Sequence, residues 1–261
     1  MTKTRFILPN AFTSLNFLLG VFSICFSAGM FKGFSNTNSY LLGAYFILLC
    51  ALFDKLDGFA ARLVNASSEF GAQFDSLADL VAFGIAPAMC LVLCYKENAP
   101  EWFASNLVIL IISFSVYVLC AAMRLAKYNA MDSDSYHHHF SGLPSTFAGI
   151  LNALLISFAL KYNFFEADSL ILYLPVLVLL VSGLMMVSPL FLPKLQMRKN
   201  KIINGTQILL IILTYISGFF FISDKIPYIT EFLLVECVLY MLVGFTSGLI
   251  HRNEIIAEAG K

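Results

Sequence analysis

Eight continuous apolar runs of about 17 to 25 residues, separated by short polar breaks, fix what this chain can become. A run of that length crosses a hydrocarbon core roughly 30 Å thick as a helix. Lipid offers backbone polar groups no water partner, so only helices and closed barrels are permitted there. The runs do not alternate apolar with polar residues, which selects helices. The predicted spans are approximately 11 to 31, 38 to 62, 73 to 95, 102 to 124, 145 to 161, 169 to 191, 206 to 222 and 230 to 249. The first is too long for a cleavable signal and lacks a small-residue cleavage site. With 59% of its 261 residues apolar or aromatic and only 12% charged, the chain is a poor soluble domain. The expected fold is an all-α integral membrane protein, a single polytopic domain over 1–261 with no linker or repeat.

Basic residues orient it. With the N-terminus in the cytoplasm, the inner ends and loops hold Lys3, Arg5, Lys55, Arg62, Arg124, Lys127, Lys194, Arg198, Lys199, Lys201, Arg252 and Lys261. The outer loops hold only Lys32, Lys96, Lys161 and Lys225, so the bias favours an even number of spans with both termini inside the cell membrane. The Lys194 to Lys201 cluster suits anionic lipid headgroups or serves orientation alone. A formal net charge of zero points to no nucleic-acid partner. All six cysteines lie within apolar spans, which argues against a disulfide scaffold, and Cys90 with Cys94 reads as core packing rather than a zinc site.

Against this background the segment DKLDGFAARLVNASSEFGAQFDSLAD, from Asp54 to Asp79, is anomalous. Each charge in a span costs roughly 2.5–3.5 kcal/mol on insertion scales and marks a pathway or a site. Asp54, Asp57, Gly58, Ala61 and Arg62 share one helical stripe, and Asp75 and Asp79 are spaced i, i+4. The break between the two helices is short, so they are expected to be antiparallel neighbours, a catalytic hairpin over about 38–95 whose carboxylates converge. Four such groups cannot all stay ionised uncompensated, and Arg62 alone is too little. Two hard divalent cations would balance them, Mg²⁺ or Mn²⁺ rather than Zn²⁺ because no Cys or His joins the set. Gly58, Ala61 and Gly71 leave room for a substrate or for a close helix partner.

The pattern Asp54-x2-Asp57-Gly58-x2-Ala61-Arg62-x8-Gly71-x3-Asp75-x3-Asp79 resembles the complete signature of the CDP-alcohol phosphotransferase family. The resemblance implies a helical core around a polar cavity open to the cytoplasmic interface, where a CDP-linked donor binds and CMP leaves. It implies Asp54, Asp57 and Asp75 as metal ligands, Asp79 as a fourth ligand or general base, Gly58, Ala61 and Gly71 in the nucleotide pocket, and Arg62 positioning the donor. Further patches (LPNAFTSLNFLLG, DSLADLVAFGIAPA, RLAKYN at 124–129, FSGLPS at 140–145 and MMVSPLFLPK at 185–194) are similar to the serine-accepting branch of bacteria and archaea. That branch implies CDP-diacylglycerol and L-serine as substrates and phosphatidylserine and CMP as products.

A site that selects serine needs a cation for its carboxylate. Arg124 is the expected one, since a guanidinium grips a carboxylate through two parallel bonds, and Lys127 reads as an interface anchor. His137, His138 and His139 are expected in an accessible loop, because adjacent histidines diverge too much to share a metal. Asn10, after Pro9, reads as a helix cap. Asn16 lies deeper and needs a partner, expected near Arg62. Small residues on outer spans are compatible with a homodimer.

Three rivals stand beside this reading. A transporter also keeps carboxylates in its spans, but no paired broken-helix halves are evident. A prenyltransferase would place its two Asp motifs far apart, whereas Asp57 and Asp75 are separated by 18 positions. A sister enzyme of the same signature would take glycerol 3-phosphate, inositol phosphate or choline, and the 194–201 basic group could serve a phosphorylated acceptor.

Overall fold

The computed structural model describes residues 7–31, 36–63, 68–130, 139–166, 169–193, 214, 216 and 228–252. The helices are α1 (Ile7–Ser27), α2 (Asn36–Leu63), α3 (Glu69–Asp79), α4 (Ala86–Asn98), α5 (Pro100–Ala130), α6 (Ser145–Lys161), α7 (Ser169–Val187) and α8 (Ile229–Ile250). A π-helical turn, Leu80–Ile85, joins α3 to α4 in one rod, and two short strands, β1 (His139–Ser141) and β2 (Phe191–Pro193), pair antiparallel. Six helical stretches are long and apolar enough to cross a membrane, with the shorter apolar α6 beside them. Val108, Leu170, Val243 and Ile250 stand exposed on α5, α7 and α8. Large apolar surface of that kind suits lipid, not water. The chain is a multi-pass, all-α membrane protein.

Seven of the eight expected spans have a helix among the described residues, with shifted ends. The span expected at 206 to 222 lies outside the described residues except for Thr214 and Ile216, as do Lys194, Arg198, Lys199, Lys201, His137 and His138. α1 starts a turn earlier than predicted, so Asn10 is not a cap: it sits inside the helix, its carbonyl accepting the Ser14 hydroxyl at 2.7 Å. α3 also begins early, capped by Ser68, whose Oγ accepts the Gly71 N–H at 3.0 Å. α7 stops at Val187 instead of running to 191, because Pro189 disfavours helix at the residue before it and has no N–H to give. The chain beyond becomes β2, where Ser141 pairs with Phe191 and His139 with Pro193. His139 is accordingly half-buried on a strand, not in an open loop.

The π turn has a local cause. Pro87 lies in the first turn of α4, and its ring would clash with the carbonyl four residues back, that of Phe83. Widening the helix relieves the clash, and the Ala86 N–H bonds Val81 O across five residues. The turn is packed at the centre of the bundle. A Cβ at Gly20 of α1 would lie 2.9 Å from Ala82 Cα, and one at Gly149 of α6 would lie 2.9 Å from Phe83 Cα. Glycine there lets two helices touch the turn's backbone, and Phe83 and Tyr117 are among the largest fully enclosed side chains.

The opposite end of the bundle is tied by aromatic and polar contacts. Tyr95 stacks on Trp102 with centroids 4.8 Å apart and its hydroxyl meets the Leu172 carbonyl, while Tyr40 donates to Leu93 O at 3.0 Å. Lys161 and Tyr162, ending α6, both reach Glu231 Oε1 in the first turn of α8, at 2.6 and 2.7 Å. These joints show that α4 and α6 end where α2, α7 and α8 begin.

Candidate active site

The acidic residues gather at the other end. Asp54 and Asp57 occupy the last turns of α2 and Asp75 lies on α3, and one carboxylate oxygen from each comes within 4.8 Å of the others. Asp57 and Asp75 lie close enough for their charges to repel. Asp75 Oδ1 is buried without a partner. Lys55 lies 3.7 Å from Asp54 but is 67% exposed, too solvated to neutralise the group.

The second span meets the rod of the third through α4 and the π turn, as the hairpin suggested, rather than along α3. α2 packs on α1, α6 and α4, and α3 packs on α1. α1 is therefore a third wall, and it supplies two polar side chains. Thr13 is buried and its hydroxyl lies 3.1 Å from both Pro9 O and Asp57 Oδ2. Asn16, fully enclosed, donates Nδ2 to Asp79 Oδ1 at 3.2 Å, while the Arg62 side chain expected near it lies outside the described residues. Its own Oδ1 is buried without a partner. Asp79 is buried a turn deeper than Asp75 and lies outside the three-oxygen group, while close enough to Asp54, Asp57 and Asp75 to feel their charge.

Among the described residues, nothing lies within 4 Å of where a Cβ on Gly58 would stand. Gly71 also takes part in a helix cap. Its N–H completes the cap on α3, and a Cβ there would come 3.0 Å from Ser68 Oγ. The side chains of Ala61 and Arg62 lie outside the described residues.

Arg124, near the C-terminal end of α5, donates Nη1 to Ser145 Oγ at 2.9 Å, and its Nε is buried without a partner among the described residues. The guanidinium lies within electrostatic range of Asp79 and Asp54. Lys127, one turn on, is exposed, in keeping with an anchor. Asn129 ties α5 to α3, accepting from Ser76 at 3.1 Å and donating to Gln73 Oε1 at 3.3 Å. Three sequence patches that look unrelated thus meet. RLAKYN touches FSGLPS through Arg124 and Ser145, and FSGLPS pairs with MMVSPLFLPK, where Gly142 N–H bonds Leu190 O at 2.7 Å and Leu143 N–H bonds Met185 O at 2.9 Å. Gly142 holds φ +75°, the left-handed region that glycine enters without strain.

Thr13 is the site residue that sequence reasoning missed. A single threonine in an apolar run carries no spacing signal, and only the crossing of α1 over α2 reveals its role. The arrangement suits a divalent cation: hard oxygen donors from three carboxylates, no sulfur or imidazole, and a buried oxygen still lacking a partner.

Fold and site together define a polytopic membrane protein with an all-oxygen acidic centre enclosed by three helices at one end of the bundle. The family profile described as CDP-alcohol phosphatidyltransferase matches residues 6–192, and the chain belongs to that family. It is 28% identical over 256 residues to a CDP-diacylglycerol–serine O-phosphatidyltransferase of Helicobacter pylori, covering 98% of this chain and 97% of that one. A Methanocaldococcus jannaschii protein of the same name is 35% identical over 70% of this chain and 71% of its own length. One from Saccharomyces cerevisiae is 36% identical over 55% of each chain.

Proposed function

We propose that the protein transfers the phosphatidyl group of CDP-diacylglycerol to L-serine, giving phosphatidylserine and CMP. One observation carries the choice of acceptor: the serine transferase of Helicobacter pylori aligns with this chain almost end to end, acidic segment included. The family membership supports the donor.

Asp54, Asp57 and Asp75 would hold Mg²⁺ or Mn²⁺, and the charge of four clustered carboxylates is balanced by two such ions, with Asp79 a fourth ligand or the base. Bound there, divalent cations supply charge neutralisation at the donor's pyrophosphate and at the departing CMP. The remaining steps belong to the chain. Gly58 leaves space against the slot for the nucleotide, beside Ala61 and Arg62, with Gly71 capping the helix opposite. Arg124, pre-set by Ser145, offers its unpartnered edge to the serine carboxylate. Asp79, oriented by Asn16, takes the proton from the serine hydroxyl as its oxygen forms a bond to the phosphorus that bears diacylglycerol. The bond from that phosphorus to the CMP oxygen breaks, and CMP leaves with the electron pair.

The basic-residue bias supports a single eight-span membrane domain over residues 1–261 in the cell membrane, its cavity opening to the cytoplasm. The opposite ends at which α7 stops and α8 starts agree with that count. Supplying CDP-diacylglycerol with radiolabelled serine, glycerol 3-phosphate, inositol phosphate or choline tests the acceptor. Label from serine should enter lipid in step with CMP release. Incorporation of another acceptor in its place would leave the family intact and overturn the choice of serine.

A further inference from the structure

The acidic centre hangs on a rod whose rotation is set elsewhere. Between Asp79 and α4 the chain makes the π turn, and three successive residues of it face three different helices: Ala82 meets Gly20 of α1, Phe83 meets Gly149 of α6, and Gly84 meets Ala121 of α5. A relaxation of the turn to α geometry would remove one residue from its circumference and swing α3 by about 100° against α4. The gripped residues resist that swing on the α4 side. On the other side α3 has Phe70 and Leu77 exposed, so the change would be expressed as a rotation of Asp75 and Asp79.

A side chain of α5 adds a polar contact to the turn. In an α-helix the Phe83 carbonyl would accept from the N–H of residue 87, but that residue is Pro87 and has none. The Tyr117 hydroxyl, fully buried on α5, donates to Phe83 O at 2.8 Å in its place. A carbonyl in a membrane interior left without a donor is costly, so the tyrosine makes the wide turn tolerable where a phenylalanine would not.

We infer that Tyr117 is a positioning residue for the metal site: its hydroxyl, by bonding the Phe83 carbonyl that Pro87 leaves without a helical donor, fixes how the π turn imposed by Pro87 is seated against α5, and with it the aim of Asp75 and Asp79 at α1 and α2. The inference rests on the divalent-cation reading above, and it concerns a residue that touches neither substrate nor carboxylate.

Mn²⁺ binding followed by electron paramagnetic resonance on purified, monodisperse protein tests it, alongside serine incorporation. Tyr117→Phe should raise the Mn²⁺ concentration at half-saturation about tenfold, the equivalent of one hydrogen bond. Its KM for serine at saturating Mn²⁺ should stay within about twofold of wild type. A merely structural tyrosine would lower the yield of folded protein and leave Mn²⁺ affinity unmoved, and that result overturns the inference. Gly149→Ala pushes on the same turn from α6 without touching the hydroxyl, and it should give the same split. If Tyr117→Phe does not fold, an unchanged Mn²⁺ midpoint in Gly149→Ala overturns the inference instead. Failure of the wild-type protein to bind Mn²⁺ would sink the metal reading itself, a separate outcome from a wild type that binds and variants that bind equally well.

Discussion

Asn16 of α1 holds Asp79 of α3 by a single hydrogen bond of 3.2 Å, joining two residues 63 positions apart in a part of the bundle closed to solvent. The amide points at the one aspartate of Asp54, Asp57, Asp75 and Asp79 that lies outside the three-carboxylate group. It fixes which way the Asp79 carboxylate faces and leaves its own oxygen, buried and unpartnered, beside the site.

Asn16→Leu should therefore cost turnover more than binding. Losing the donor leaves a buried carboxylate short of a partner, a penalty of about 1–3 kcal/mol. We expect kcat to fall at least about tenfold with KM for serine little changed. Asn16→Asp, which cannot donate when ionised and adds a further negative charge, should be worse. Steady-state kinetics at saturating Mn²⁺ check both, and a wild-type kcat in Asn16→Leu would remove the role.

Arg124 is expected to govern acceptor affinity. A bond to a charged group is worth about 1.5–3 kcal/mol, so Arg124→Ala should raise KM for serine roughly 10- to 150-fold while KM for CDP-diacylglycerol stays put. Arg124→Lys keeps the charge and loses the planar fork, and should fall between. An unchanged serine KM in Arg124→Ala would show that its contact with Ser145 is an end in itself.

Glu231 offers a contrast at the far end of the molecule. It joins Lys161 and Tyr162 to the start of α8, and none of the three approaches the acidic centre. Glu231→Ala should lower the thermal midpoint by about 2–4 °C and leave kcat and both KM values at wild type. A selective loss of catalysis at unchanged stability would mean that the two ends are coupled in a way the contacts do not suggest.

The acidic segment was legible because its chemistry is so out of place. Asp54, Asp57 and Asp75 stand in runs that lipid would otherwise hold free of charge, and helical spacing alone put them on facing stripes. Long apolar helices were legible for the same reason: period and length decide them before packing does. What the spacing could not carry was the third wall. Thr13 and Asn16 act through the crossing of α1 over α2 and α3, a tertiary relationship with no local signature. The β1–β2 pairing was hidden too, since Phe191, Leu192 and Pro193 continue an apolar run and only Pro189 marks the break. The cap that Ser68 gives to the Gly71 N–H was not read from the sequence either, since the start of α3 falls in the polar break before the apolar run. The π turn could have been suspected from Pro87, placed a few residues inside what otherwise reads as one uninterrupted helix.

The most direct test is CMP release from CDP-diacylglycerol and serine by purified protein, measured in strong chelator and again after Mn²⁺ is restored, with Asp75→Asn alongside. Activity should vanish in chelator and return with Mn²⁺, and Asp75→Asn should lose about 100-fold or more at any Mn²⁺ concentration. Undiminished CMP release in chelator, or an Asp75→Asn protein as active as wild type, would contradict a divalent-cation centre built from Asp54, Asp57 and Asp75.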